Sequence, residues 1–188
     1  MAICTSCHGA HGVLPTGDAR SPVYPTRIVE TCGRCHADAA LMARYGIKGN
    51  EILEYKRSAH YAALVTKNDL SAPTCKSCHG AHGATPPGIA SVSSVCGTCH
   101  PTQRERFDLS PHKDAFAALQ QPACESCHSN HAIVHPMDAW IGVGEKQVCG
   151  SCHSAGDPGA NAAAEIAGAL VNATAAIAGA QGRTGLYG

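Results

Sequence analysis

A pair of cysteines followed directly by a histidine recurs along this chain in the pattern C-x-x-C-H. A representative copy is Cys75-Lys-Ser-Cys78-His79. This spacing is typical of covalent haem attachment, because both thiols reach the two vinyl groups on one porphyrin edge while the adjacent imidazole ligates the iron. His82 follows three residues after His79 and is placed to bind a second iron. The chemistry that these residues predict is therefore the binding of haem c.

The pattern occurs six times and uses all 12 cysteines. The predicted haem-binding thiols are Cys4 and Cys7, Cys32 and Cys35, Cys75 and Cys78, Cys96 and Cys99, Cys124 and Cys127, and Cys149 and Cys152. The predicted first iron ligands are His8, His36, His79, His100, His128 and His153. Disulfides or zinc sites are the alternative, since an even cysteine count and C-x-x-C pairs occur in both. Neither explains a histidine after every pair, so six haem c groups with their iron are predicted.

The histidines outside the motifs match the irons in number. They are His11, His60, His82, His112, His131 and His135. We predict that all six are second axial ligands, which gives every iron two imidazoles. Such an iron has no vacancy for a substrate and has a low reduction potential. The sequence therefore predicts electron transfer and no catalytic residue.

Two kinds of motif alternate along the chain. The first kind carries a second histidine three residues after the motif histidine, at His11, His82 and His131, whereas the second kind reads Cys-Gly-x-Cys-His and lacks it. The pattern predicts three tandem dihaem units, about 1–48, 49–110 and 111–157, within a hexahaem region 1–157. Internal repeats of this sort favour an array in which each unit contacts mainly its neighbours.

Composition argues against an ordinary polypeptide core. Aromatic residues make up 4% of the chain, which contains 20 glycines and 11 prolines, and only about 31 residues are available for each motif. The predicted fold class is a mostly irregular chain with short α-helices and little or no β-structure, organised by its haem array, so the haem-free chain should be unfolded. The net charge of zero gives no case for nucleic acid or an anionic membrane as a partner.

Local patterns predict several helices. They cover residues 37–45, about 51–66 with Asn50 as cap, a short segment ending at 107, and 111–119 with Ser110 as cap and Pro111 at the first position. Residues 84–88 predict a turn. The region 158–188 is predicted as an alanine-rich helix and tail, with a docking helix over 161–180. The alternative is a membrane span over 161–180, so contact with a membrane is expected only through a partner or through this segment.

Haem attachment of this kind takes place outside the cytoplasm, so the chain should be exported to the periplasm, the cell surface or the exterior. No charged segment followed by an apolar one precedes Cys4. We expect either that a signal peptide has been removed or that the chain is a segment of a longer precursor.

The motifs over residues 4–153 resemble those of multihaem c-type cytochromes of respiratory bacteria and archaea. The resemblance includes the Cys-His-Gly-x-His extensions at His11 and His82, a looser version at His131, and Ser-x-His elements at His60 and His112. It implies electron transfer in anaerobic or extracellular respiration, with redox proteins as donors and acceptors. Some proteins of this kind polymerise into extracellular filaments.

Three functions are compatible with these features. The first is an electron-conducting module without a catalytic site. The second is a haem subunit docked on a membrane oxidoreductase through the alanine-rich helix, and the third is a multihaem reductase of nitrite, hydroxylamine or a sulfur oxyanion. We also predict head-to-tail self-association into a filament, because no Ser-x-His element precedes Cys4 and His135 matches no other repeat position. A neighbouring copy would then supply the distal ligand at the first haem.

Overall fold

The computed structural model describes residues 2–82 and 95–184. Within these residues the chain is helical and has no β-strand, which confirms the predicted fold class. The α-helices are α1 (Cys4–His8), α2 (Ile28–His36), α3 (Ala39–Ala43), α4 (Glu51–Lys56), α5 (Ala59–Thr66), α6 (Cys75–His79), α7 (Pro101–Asp108), α8 (His112–Ala118), α9 (Glu125–His128) and α10 (Pro158–Thr184), and 3-10 helices cover Asp138–Trp140 and Val148–Ser151. The turn predicted over 84–88 lies outside the described residues.

The chain divides into two compact units, Met1–Val134 and His135–Gly188. The first unit contains five of the six C-x-x-C-H motifs, and the second contains the motif that ends at His153.

The core of the first unit is small and joins two motifs. Ile28 and Val29 of α2 pack against Ile52 of α4, with Cys32 and Tyr55 at the edge of the cluster. The hydroxyl of Tyr55 donates a hydrogen bond of 2.6 Å to the carbonyl of Pro73, just before α6. The few apolar residues available to this unit therefore hold the helix of the second motif beside that of the third.

The single helix predicted over 51–66 is two helices in the structure. The break falls at Ser58, whose hydroxyl is buried and accepts a hydrogen bond of 3.1 Å from the backbone N–H of Tyr61. A serine that bonds the backbone in this way begins a new helix rather than continuing the old one. The backbone N–H of Ala59 then donates to the carbonyl of Ile133 at 2.7 Å, which fixes the start of α5.

Two other helix boundaries differ from the prediction. Helix α3 begins after Asp38, whose carboxylate accepts from the N–H of Leu41 at 2.9 Å, and so it is shorter than 37–45. Ser110 does not cap α8, because its hydroxyl donates instead to the carbonyl of Phe107 at 2.8 Å. Pro111 takes the cap position, and His112 is the first residue of the helix.

The second unit consists of the two 3-10 helices and the long helix α10. Within the described part of this unit, Ala160 and Ala163 on the first turns of α10 are buried, and α10 contacts both 3-10 helices. Residues Pro158–Gln181 form a 24-residue stretch with a mean hydropathy of 1.4, of which 6% is buried. By length and composition this stretch is apolar enough to cross a membrane.

Candidate haem-binding site

The three motifs of the first kind share one local geometry. Each lies on a very short helix, α1, α6 or α9, which ends at the motif histidine. In α1 and α6 the backbone N–H just before the first cysteine donates to the serine within the motif, from Ile3 to Ser6 at 3.2 Å and from Thr74 to Ser77 at 3.0 Å. These bonds hold both cysteines and the histidine on a single helical turn.

The residue after the motif histidine turns the chain sharply. Gly9 has φ 79° and ψ 168°, Gly80 has φ 77° and ψ 179°, and Ser129 has φ 63° and ψ −177°. This region is almost exclusive to glycine, because a β-carbon crowds the backbone there. The turn separates the motif histidine from the histidine three residues later, so both need not lie on the same metal ion.

The structure brings together three pairs of imidazoles. The ring centres of His8 and His82 lie 6.2 Å apart, those of His60 and His100 6.2 Å apart, and those of His79 and His131 6.0 Å apart. The ring planes within the pairs are inclined by 31°, 26° and 15°. Each pair contains one motif histidine and one histidine predicted as a second ligand.

This separation fits an iron held between two imidazoles. Two imidazoles on opposite sides of one metal ion have ring centres about 6 Å apart, since each metal–nitrogen bond is about 2.0–2.1 Å and each ring centre lies about 1.1 Å beyond its nitrogen. Direct contacts between rings cover a range that includes this distance. They do not explain why all three pairs combine a motif histidine with a non-motif one.

The pairs follow the repeat of the sequence. His82 of the second unit of the repeat lies opposite His8 of the first, and His131 of the third lies opposite His79 of the second. The extension histidine therefore reaches back by one repeat unit. His60, in the Ser-x-His element, lies opposite His100 of its own repeat unit.

The cysteines lie close to one another across motifs. The thiol of Cys32 hydrogen-bonds that of Cys75, which raises the pKa of Cys32 and lowers that of Cys75. Burial, together with the neighbouring Cys96 in hydrogen-bonding contact, raises the pKa of Cys124 to about 11. Attachment points of the second and third motifs are thus neighbours, as are those of the fourth and fifth. All twelve cysteines are free thiols, as covalent attachment requires.

Apolar surface beside the motifs is available for a porphyrin to cover. Ile3, directly before Cys4, is 65% exposed, and Leu109 is 75% exposed. Exposed large apolar side chains of this kind are available to pack against a porphyrin. The residues present therefore fit haem in their thiols, their paired imidazoles and their apolar surroundings.

His131 is half-buried and lies near an acidic side chain. Burial lowers its pKa, and the nearby His79 lowers it further, which favours the neutral imidazole that binds metal. Its Nδ1 lies 4.0 Å from a carboxylate oxygen of Glu54, whose other oxygen accepts a bond of 2.6 Å from the side chain of Asn50. Glu54 was not among the residues predicted from the sequence.

The other predicted ligands lie in more varied surroundings. His11, His36 and His135 are exposed, and His112 lies edge-on to the ring of Phe116 at 5.5 Å. His128 ends α9, and His153 follows the second 3-10 helix beside Asp157. The assignment of all twelve histidines to iron stays a prediction.

Comparison with known proteins gives one family match. A family model described as Cytochrome c3 matches residues 71–154, which include the last four C-x-x-C-H motifs. No curated protein and no solved structure matches the chain. The family match supports the interpretation of this chain as a multihaem c-type cytochrome, an electron-transfer protein that binds haem c.

Proposed function

We propose that the chain is an electron-transfer protein carrying six haem c groups, each with two histidine ligands. The observation that carries this proposal is the set of three imidazole pairs at 6.0–6.2 Å, each joining a motif histidine to a non-motif one. When bound, the haem groups supply redox-active iron. The protein supplies the thiols that fix them and the imidazoles that fill both axial positions.

The arrangement of thiols supports conduction rather than storage of electrons. Cys32 lies beside Cys75, and Cys96 lies beside Cys124. Burial raises the pKa of Cys78, and the nearby Cys96 and Cys99 also raise it. Attachment points of the second to fifth motifs are therefore consecutive neighbours. The first motif is also next to the third, because His82, three residues after the third motif, lies opposite His8 of the first motif.

A reductase of nitrite, hydroxylamine or a sulfur oxyanion is disfavoured at the paired sites. Such an enzyme needs an iron with an open or exchangeable position, whereas each proposed pair would fill both axial positions. We place the protein outside the cytoplasm, in the periplasm or at the cell exterior, in anaerobic or extracellular respiration. Its partners would be redox proteins that donate and accept electrons.

Replacement of the non-motif histidines tests the paired sites. The wild-type ferric protein should show only low-spin haem, and its reduced form should not bind carbon monoxide stoichiometrically. His60→Ala, His82→Ala and His131→Ala should each create one carbon monoxide site per chain, because each leaves one iron with a single protein ligand.

Asn130→Ala is the matched control, because Asn130 is adjacent to His131 and is not a predicted iron ligand. It should leave the spectra unchanged. A stable high-spin haem in the wild type would overturn the proposal. So would the absence of a new carbon monoxide site in all three alanine variants.

We further propose head-to-tail self-association, with the junction at His11. His8 needs no ligand from a neighbouring copy, because His82 of the same chain lies opposite it. The extension histidine reaches back by one repeat unit in both observed cases, His82 to His8 and His131 to His79. Continuation of this register carries His11 of one copy towards the third repeat unit of the preceding copy, a heterologous contact that propagates as a filament. His11 is exposed, as this contact requires.

His11→Ala tests the junction. The variant should lose assembly in sedimentation and electron microscopy and gain one carbon monoxide site per chain. Added imidazole should restore the low-spin spectrum without restoring assembly. His135→Ala is the control, which should change one haem and leave assembly intact. Assembly of His11→Ala at wild-type concentration, or a monomeric wild type, would refute the junction and leave the proposal of paired ligands untouched.

The length and hydropathy of α10 favour a second candidate, a haem subunit of a membrane oxidoreductase. Ile166, Val171 and Ile177 are more than half exposed on this helix. Flotation of the holoprotein with neutral phosphatidylcholine vesicles, compared with a variant bearing serine at these three positions, separates the candidates. Flotation of the wild type alone would favour the membrane subunit.

A further inference from the structure

The C-x-x-C-H motif of the second compact unit, His135–Gly188, has a carboxylate next to its histidine. The Nδ1 atom of His153 lies 3.2 Å from Oδ1 of Asp157, and both side chains are about one-third exposed. Asp157 stands four residues after the motif histidine, where the other five motifs have glycine, alanine or arginine. The arrangement is therefore a local property of the sixth motif and not part of the repeat.

The carboxylate of Asp157 is fixed from two other sides. Its Oδ1 accepts a hydrogen bond of 2.7 Å from the backbone N–H of Ala160, and its Oδ2 accepts one of 2.8 Å from the N–H of Ser154. Pro158, the first residue of α10, follows directly and suits the first position of a helix. Because two backbone N–H groups hold the carboxylate, its orientation towards the imidazole is fixed.

Helix α10 also leaves room for the ring. A β-carbon at Gly159 would lie 2.2 Å from both Cε1 and Nδ1 of His153. Ala160 and Ala163, on the same turns, are buried in this unit. The start of α10 thus contacts the imidazole through a glycine and bonds it through the preceding aspartate.

We propose that Asp157 is a positioning residue for the sixth haem, holding the Nδ1 proton of His153 so that Nε2 presents its lone pair to the iron and becomes a stronger donor. A carboxylate that accepts from a metal-bound imidazole fixes its tautomer and raises its basicity. A more basic axial ligand stabilises the ferric state, so the sixth haem should have a lower reduction potential than it would beside a neutral acceptor. The inference rests on the proposed role of His153 as an axial ligand.

Substitution of Asp157 separates this role from that of a helix cap. Asp157→Asn retains a good capping side chain but removes the charge, and Asp157→Ser retains a cap that is too short to reach the ring. In spectroelectrochemical titration of the six-haem protein, both variants should shift one of six reduction steps to higher potential. The electron paramagnetic resonance g-values of one low-spin haem should change with it.

Asp38→Asn is the matched control. Asp38 also caps a helix just after a motif histidine, accepting from Leu41 at 2.9 Å, but no ion pair joins it to His36 among the described residues. This variant should leave all six steps in place.

A second pair of variants tests the contact at the glycine. Gly159→Ala should displace the ring of His153 and alter the same single haem. Gly168→Ala, on the same helix with nothing within 4 Å of its added β-carbon, should alter none. Unchanged potentials and g-values in both Asp157 variants, with six low-spin haems present, would refute the positioning role alone. Fewer than six low-spin haems in the wild type would instead refute the proposed function.

Discussion

At the scale of single residues, the histidine three positions after the motif depends on the backbone of the residue between. Gly9 and Gly80 adopt positive φ at no steric cost, and in the third repeat Ser129 adopts the same conformation with φ 63°. The position is exposed, so the side chain gains little from packing in return. The looser third copy of the extension therefore carries backbone strain that the first two do not.

Ser129→Gly should relieve this strain and raise the free energy of unfolding by about 1 kcal/mol, which is less than the full strain because glycine also loses more backbone entropy. Gly80→Ala is the reciprocal control: no atom lies within 4 Å of its added β-carbon, so only the positive φ opposes alanine, and stability should fall by a similar amount. Denaturation of the holoproteins by guanidinium, followed by circular dichroism, measures both. A destabilised Ser129→Gly variant would show that the serine side chain contributes more than its backbone costs.

At the scale of elements, the sequence predicts the motifs better than the helices that carry them. The C-x-x-C-H spacing and the excess of six histidines follow from haem chemistry, so the amino-acid sequence alone suffices to name the candidate ligands. The pairing of His82 with His8 does not follow from the sequence, because it depends on the turn at Gly80 and on contacts between repeat units.

The helix predicted over 51–66 shows the limit of local patterns. The helical spacing of Leu53, Lys56, His60 and Leu64 continues past position 58. The buried hydroxyl of Ser58 nevertheless ends one helix and caps the next. Asp157 was missed for a related reason: an aspartate before Pro158 is an ordinary helix cap by sequence. Its second role is visible only once the ring of His153 is placed beside it.

At the scale of the whole molecule, the polypeptide alone buries too little to fold. Among the residues that the structure describes, those buried and apolar are Val23, Ile28, Val29, Met42, Ile52, Leu64 and Ala72 in the first unit and Ala160 and Ala163 in the second. Conformational entropy of about 1–2 kcal/mol per residue opposes folding of each unit. Burial of so few side chains is too small to offset it, so we expect porphyrins to supply most of the apolar interior.

The haem-free chain, made without attachment machinery and kept reduced, should therefore lack a cooperative unfolding transition. Residual helix should be confined to α10, whose alanine content and 27 residues suit an isolated helix. Far-ultraviolet circular dichroism with increasing urea measures this, and a version truncated after residue 157 is the control, which should show almost no helix. A haem-free chain that unfolds cooperatively, with the helix content of the holoprotein, would mean that the small cluster around Val29 and Ile52 is a sufficient core.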